Sequence, residues 1–337
     1  MSRKIKLGII GAGRIAHVHA KSITFHIPGA AIKSIADPYM TKEAERWISD
    51  FNIPNLSKDY RDVINDTGID AVLICSSTDT HAPITREAAA AGKHVFCEKP
   101  IDLNISEIRK TIDAVDKAGV KLQVGFNRRF DHNFMALKKA VEDKTIGDLH
   151  MIKITSRDPS PPPIEYVKVS GGLFMDMTIH DFDVVRFLSG SEVEEIFAYG
   201  DVLVDRSVAD AGDIDSAVVS MKLKNGAMAV IDNSRKACYG YDQRGEVFGS
   251  RGAVVTANDT PHTGIFFGEN GVVAEKPLHF FLERYREAYI NEINSFVESI
   301  DQDSTVAAGG IDGLNSVIIA SAARDSMKSG KSVKVLY

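Results

Sequence analysis

The chain has 337 residues, enough for two domains with substantial cores. Its 40 basic and 46 acidic side chains leave a formal charge of −6 with no basic cluster, which argues against nucleic acid or an anionic membrane as the main partner. Hydrophobic residues make up 44% and charged residues 26%, an ordinary globular balance, and no apolar run approaches the ~18 residues that span a bilayer.

Met1–Ile5 leads straight into a strand pattern, so no signal peptide is expected. Lys4–Ile10 is a short apolar strand that runs into Gly11-Ala12-Gly13-Arg14-Ile15-Ala16 and then a helix to about Phe25. This is the G-x-G-x-x-G/A pattern in a strand–turn–helix setting, where it binds a dinucleotide. Gly11 permits the tight turn, Gly13 admits the pyrophosphate, and Ala16 allows close helix packing. The helix N-terminus, at Arg14 and Ile15, then faces the phosphates. The second strand, Ala31–Ala36, ends at Asp37. A carboxylate there binds the adenosine ribose and repels a 2′-phosphate, which predicts NAD over NADP; the alternative is a loop aspartate before Pro38.

The alternation continues through helices near Glu43–Phe51 and Tyr60–Asn65 and an apolar strand at Asp70–Cys75. That strand ends in Ser76-Ser77-Thr78-Asp79-Thr80-His81, a polar loop placed to meet more of the cofactor, so Ser76, Ser77 and His81 are candidate contacts. The helix Pro83–Ala91 precedes the strand His94–Cys97, which ends in Glu98-Lys99-Pro100. Lys99 is a cation at a strand's carboxyl end, able to hydrogen-bond a substrate hydroxyl; it could equally pair with Glu98 at the surface. The helix Ser106–Ala118 and the strand Val120–Val124 lead into Asn127-Arg128-Arg129-Phe130-Asp131. This alternation predicts an α/β doubly wound parallel sheet over residues 1–125 as the NAD-binding domain.

Residues 126–337 form the second domain, an α+β unit with an open, mostly antiparallel sheet. Asn133–Glu142 is helical, Leu149–Arg157 is a strand, and Asp158-Pro159-Ser160-Pro161-Pro162-Pro163 is a stiff loop that serves either the substrate or merely spacing. A glycine pair, Gly171-Gly172, then opens a helix expected to run to about Leu188. Asp176 and His180 are four apart and would share one face of it. A carboxylate beside an imidazole fixes the histidine tautomer and stabilises its protonated form. The alternative is a carboxylate at a helix start beside a structural histidine.

Strands follow at Val193–Val204, Ile214–Leu223 and Ala227–Ser234, the last two joined at Asn225-Gly226. Further hairpins centre on Ser250-Arg251-Gly252 and Glu269-Asn270-Gly271, and helices at Leu282–Ile300 and Ile311–Met327 close the chain. Tyr239-Gly240-Tyr241-Asp242-Gln243-Arg244 is a loop that either touches substrate through a tyrosine or is ordinary surface. Cys75, Cys97 and Cys238 have neither metal nor disulfide spacing, which fits a reducing cytoplasm.

Together, the glycine-rich turn, Glu98-Lys99-Pro100 and Asp176-x-x-x-His180 resemble the glucose–fructose oxidoreductase, inositol dehydrogenase and rhizopine-catabolism (Gfo/Idh/MocA) family over the whole chain. Asn127–Asp131, Arg157-Asp158-Pro159, Gly171–Asp183 and Tyr239–Arg244 are similar to its inositol 2-dehydrogenases. The resemblance implies a catalytic trio. His180 takes the hydroxyl proton as hydride leaves for the nicotinamide, Asp176 orients His180, and Lys99 favours the developing alkoxide. Glu98 and Lys99 also border the cofactor, and Arg128 or Arg129, Asp158, Asp183 and Tyr239 are implied substrate contacts. The activity implied is NAD-dependent oxidation of myo-inositol to 2-keto-myo-inositol without a metal, by a homotetramer. The alternatives are scyllo-inositol, another cyclic polyol or an aldose as substrate, or a non-catalytic NAD-binding sensor.

Overall fold

The computed structural model describes residues 3–337, which divide into two compact units: up to Phe130 with Glu287–Val317, and Asp131–Arg286 with Ile318–Tyr337. The single boundary expected at 125/126 does not describe this division, because the chain returns to the first unit. The reason is hydrophobic. Ile293, Phe296 and Val297, from the helix Arg286–Asp301, are buried in one cluster with Leu7, Ile9, Ile23, Leu73 and Phe96.

The first unit is the expected parallel sheet, in the order β3-β2-β1-β4-β5-β6. The strands are β1 (Ile5–Ile10), β2 (Ala30–Ala36), β3 (Asn55–Ser57), β4 (Ala71–Ile74), β5 (His94–Cys97) and β6 (Leu122–Val124). The helices between them are α1 (Arg14–His26), α2 (Lys42–Asp50), α3 (Tyr60–Ile64), α4 (Thr78–Ala90) and α5 (Ile105–Ala118). All of β4 is buried, as a central strand covered on both faces requires. The Thr41 hydroxyl accepts from Ala44 N–H to start α2, and Gly119 ends α5 in the left-handed conformation at φ 67°. The sequence reading missed β3, whose pattern shows no buried residue. Strand order reverses between β1 and β4, so the first glycine turn and the end of β4 meet where ligands bind in such sheets.

The second unit starts with α6 (His132–Glu142), β7 (Leu149–Arg157), α7 (Ile164–Val167), α8 (Leu173–Asp176) and α9 (Thr178–Ser189). It continues with β8 (Val193–Asp201), α10 (Arg206–Asp210), β9 (Ser216–Leu223), β10 (Met228–Ser234), β11 (Asp242–Gly249) and β12 (Gly252–Val255). The hairpin β13 (Ile265–Gly268) and β14 (Gly271–Ala274) precedes α11 (Phe281–Arg284), α12 (Arg286–Asp301), α13 (Gly310–Ser329) and β15 (Val333–Lys334). The main sheet runs β12-β11-β7-β10-β9-β8-β15. It is antiparallel apart from β7 and β10, which pair in parallel. The third hairpin forms as expected but stands apart as a two-stranded sheet.

The alternating apolar residues Ala217, Val219, Met221 and Leu223 are buried, on the sheet face against which α6 and α9 pack. The other face carries the exposed Tyr199, Val218, Met228, Phe248 and Val255 among the ion pairs Lys153–Glu246 and Arg157–Asp232. No helix among the described residues is long and apolar enough to cross a membrane.

Candidate active site

At the cofactor end of the first unit, Gly11 has φ 94°, and a Cβ there would lie 2.7 Å from the backbone of Cys75 and Ser76. Only glycine fits this crossing of β1 and β4. A Cβ on Gly13 would meet nothing within 4 Å, which leaves the backbone at the start of α1 open to a ligand. Arg14 and Ile15 form the first turn of α1, whose N–H groups point out of the helix end. Asp37 stands over this turn: Oδ2 accepts from Ala12 N–H at 2.7 Å and Oδ1 from Tyr39 N–H at 2.7 Å. The glycine turn, the open helix end and the acid after β2 together fit a dinucleotide.

The Ser76–His81 segment differs from the expected loop, because α4 begins at Thr78. Ser76 shares a 2.6 Å hydrogen bond with Thr80, and Ser77 is the N-cap. His81 is buried, with Nδ1 2.8 Å from the Pro100 carbonyl and Nε2 3.0 Å from that of Ser76. Its ring ties α4 to the turn after β5. In that turn the Lys99–Pro100 peptide is cis.

Glu98 accepts from or shares a proton with the buried His19, Nε2 to Oε1 at 2.7 Å. A third group, Glu292, lies close by, and one ligand atom from each residue falls within 4.8 Å of the other two. These three could hold a metal ion, a possibility the sequence concealed because they are far apart in the chain. Burial, reinforced by the negative Glu98, pushes the Glu292 carboxyl well above the usual carboxylate range and keeps it neutral.

Arg128 and Arg129 lie in a short 3₁₀ turn, Asn127–Phe130, and have different surroundings. Arg129 donates to the Ala307 carbonyl at 2.8 Å and pairs with Asp312 at 2.9 Å, fastening the returning segment to this unit. Arg128 is buried.

In the second unit the expected single helix is broken at Met177 (φ −98°, ψ −58°), so Asp176 ends α8 while His180 lies in α9. Asp176 and His180 thus lie four residues apart on two short consecutive helices rather than on one continuous helix. Gly172, at φ 86°, opens α8, and Asp213 accepts from Leu173 N–H there at 3.0 Å. Asp176 is gripped from two directions: Tyr166 donates to Oδ1 at 2.8 Å and Arg235 to Oδ2 at 2.8 Å. Arg235 also donates to Asp158 Oδ2 at 3.1 Å. Nearby, Thr178 donates to Asn233 at 2.7 Å, and Asn233 donates to the buried Asp181 at 2.9 Å. Asp183 is buried one helical turn before Arg186.

The Tyr239 hydroxyl donates to Asp242 at 2.6 Å and accepts from Arg157 at 3.1 Å. Burial and the bond to Asp242 push its pKa up, so it stays a neutral donor. The expected loop is shorter than Tyr239–Arg244, because β11 begins at Asp242; Tyr241 is buried. Arg235, Tyr166 and Asn233 escaped the sequence reading. Arg235 sits in Ser234-Arg235-Lys236, which reads as surface, and only the end of β10 against β7 brings it to the two acids.

A parallel dinucleotide-type domain followed by an open sheet carrying acids and a histidine defines a two-domain oxidoreductase. The profile described as oxidoreductase family, NAD-binding Rossmann fold, matches residues 5–126, and that of the GFO/IDH/MocA C-terminal domain matches residues 134–255. The chain belongs to this GFO/IDH/MocA oxidoreductase family. It is 49% identical over 335 residues to the uncharacterized oxidoreductase YrbE of Bacillus subtilis, covering 99% of this chain and 98% of that one. It is 46% identical over 332 residues to the myo-inositol 2-dehydrogenase of Thermotoga maritima, covering 98% of each. Among solved structures it resembles the scyllo-inositol dehydrogenase of Lactobacillus casei with bound NAD(H) and scyllo-inositol, at TM-score 0.91 and 31% identity over 99% of both chains.

Proposed function

We propose that this oxidoreductase oxidises myo-inositol at its axial hydroxyl to 2-keto-myo-inositol, with NAD as hydride acceptor. The observation that carries this reading is the 46% identity to the Thermotoga enzyme over nearly the whole chain, with Lys99, Asp176 and His180 all present. When bound, the nicotinamide supplies a hydride acceptor at C4. The chain supplies the rest. His180 takes the proton from the substrate hydroxyl as its C–H bond yields the hydride. Asp176 orients His180 and stabilises its charged form, and the Lys99 ammonium favours the alkoxide. Asp37 selects against a 2′-phosphate by charge and accepts ribose hydroxyls. Ser76, Ser77 and Glu98 border the cofactor.

Asp158, Asp183, Tyr239 and one of Arg128 and Arg129 are the proposed polyol contacts. The Lactobacillus enzyme supports a second reading, in which scyllo-inositol is the preferred ring; the chemistry is unchanged. A homotetramer working in the cytoplasm completes the proposal. The test is His180→Ala, which should abolish most turnover while NADH binding, read by its fluorescence, stays within about twofold. Parallel loss of binding and turnover would assign His180 to structure instead.

A further inference from the structure

Arg235 is 5% exposed and stands just after β10, with its N–H bonded to the Asp215 carbonyl at 2.8 Å. Its guanidinium bridges two acids from different elements, Nη1 to Asp158 after β7 and Nη2 to Asp176 at the end of α8. Both acids are nearly buried, at 11% side-chain exposure each. Two carboxylates enclosed this way repel one another, and without a partner one of them would take a proton. A guanidinium cannot be deprotonated, and its planar fork also sets where each carboxylate lies. A third acid, Asp213, faces the same cation across the start of α8, and there burial outweighs the attraction and raises its pKa. Tyr166 donates to the other oxygen of Asp176. Asp158, Asp176 and Asp213 are the acids that face Arg235, with Tyr166 behind Asp176.

We propose that Arg235 is a positioning residue of the dehydrogenase: it locks Asp158 and Asp176 together as a fixed pair of anions, so that Asp176 stays ionised for His180 while Asp158 stays ionised for the polyol. The inference rests on the reading of His180 as the base. It explains why an arginine is buried beside two acids of the site, and it separates their roles. Release of Asp176 acts on kcat, and release of Asp158 acts on KM.

Three variants, R235Q, R235K and D176N, test it alongside His180→Ala. In R235Q, kcat should fall about 100-fold, the scale of a misplaced catalytic group. The acidic limb of its kcat/KM profile should move up by one to three pH units or so, because the neighbouring positive charge is gone. R235K keeps the charge without the fork, so its acidic limb should stay near the wild-type position while KM rises. Adding R235Q to D176N should cost little more in kcat than D176N alone, since both remove the hold on His180, while KM still rises through Asp158. NADH binding and circular dichroism report folding; should R235Q not fold, R235K against the wild type decides alone, and an unchanged KM there overturns the role. A folded R235Q with wild-type kcat and pH profile overturns the positioning role, as does an R235K limb displaced as far as that of R235Q. If His180→Ala retains full turnover, the base reading falls first and this inference with it. An inactive His180→Ala beside a normal R235Q removes only the role of Arg235.

Discussion

Asp37 uses both carboxylate oxygens on backbone N–H groups, at Ala12 and Tyr39, yet its charge remains over the glycine turn. Removing it should alter cofactor choice before it alters folding. Asp37→Ser should raise the NADP-linked kcat/KM relative to the NAD-linked value by about tenfold or more, since a like-charge contact costs several kcal/mol; paired steady-state assays measure this. A buried acid gives a second prediction. Glu292 is fully buried, with no hydrogen-bond partner on either oxygen among the described residues. Its folded pKa lies above that of the unfolded chain, about 4.3. The folded state therefore keeps a proton that the unfolded state loses as pH rises past that value. Stability is undiminished below it and declines above it. Glu292→Gln, which mimics the neutral acid, should thus gain stability over the wild type between pH 4.5 and 8, in thermal melts run across that range. At this scale the acids, the lysine and the histidine could be singled out in the sequence by residue type and by their place at strand ends and helix starts. Their partners could not: Arg235 and Glu292 are ordinary charged residues in sequence and acquire meaning only from burial.

Elements were legible where periodicity is strong. Strand and helix alternate cleanly up to Val124, and the Asn225-Gly226 hairpin forms with Gly226 at φ 88°. The break at Met177 was not legible, because α8 and α9 together keep an apolar pattern that one helix would also show. The membership of residues 287–317 was hidden for a related reason. An amphipathic helix announces that one face is buried, not against what. Two substitutions test these placements. Phe296→Ala should destabilise the protein by about 3–5 kcal/mol in chemical denaturation, since Phe296 is wholly buried in the core of the first unit. Gly11→Ala should abolish NADH binding, because its Cβ would collide with the backbone of Cys75. Retained binding would remove the glycine turn from the cofactor site.

For the whole molecule, composition argues against some partners and names none. The apolar alternation in residues 214–230 turned out to be the covered face, and the outer face is a mixture of exposed apolar side chains and ion pairs. If that outer face joins subunits in the proposed tetramer, Tyr199→Glu with Val218→Arg should lower the mass found by sedimentation. An unchanged tetramer would move the interface elsewhere. Function is where family membership and geometry meet, and the central claim concerns one reaction. The most direct test is the initial rate of NADH formation by the purified protein with myo-inositol, beside scyllo-inositol and glucose, each with NAD and with NADP. The account predicts the highest kcat/KM for myo-inositol with NAD. Preference for NADP, or no turnover of any cyclic polyol, would contradict it.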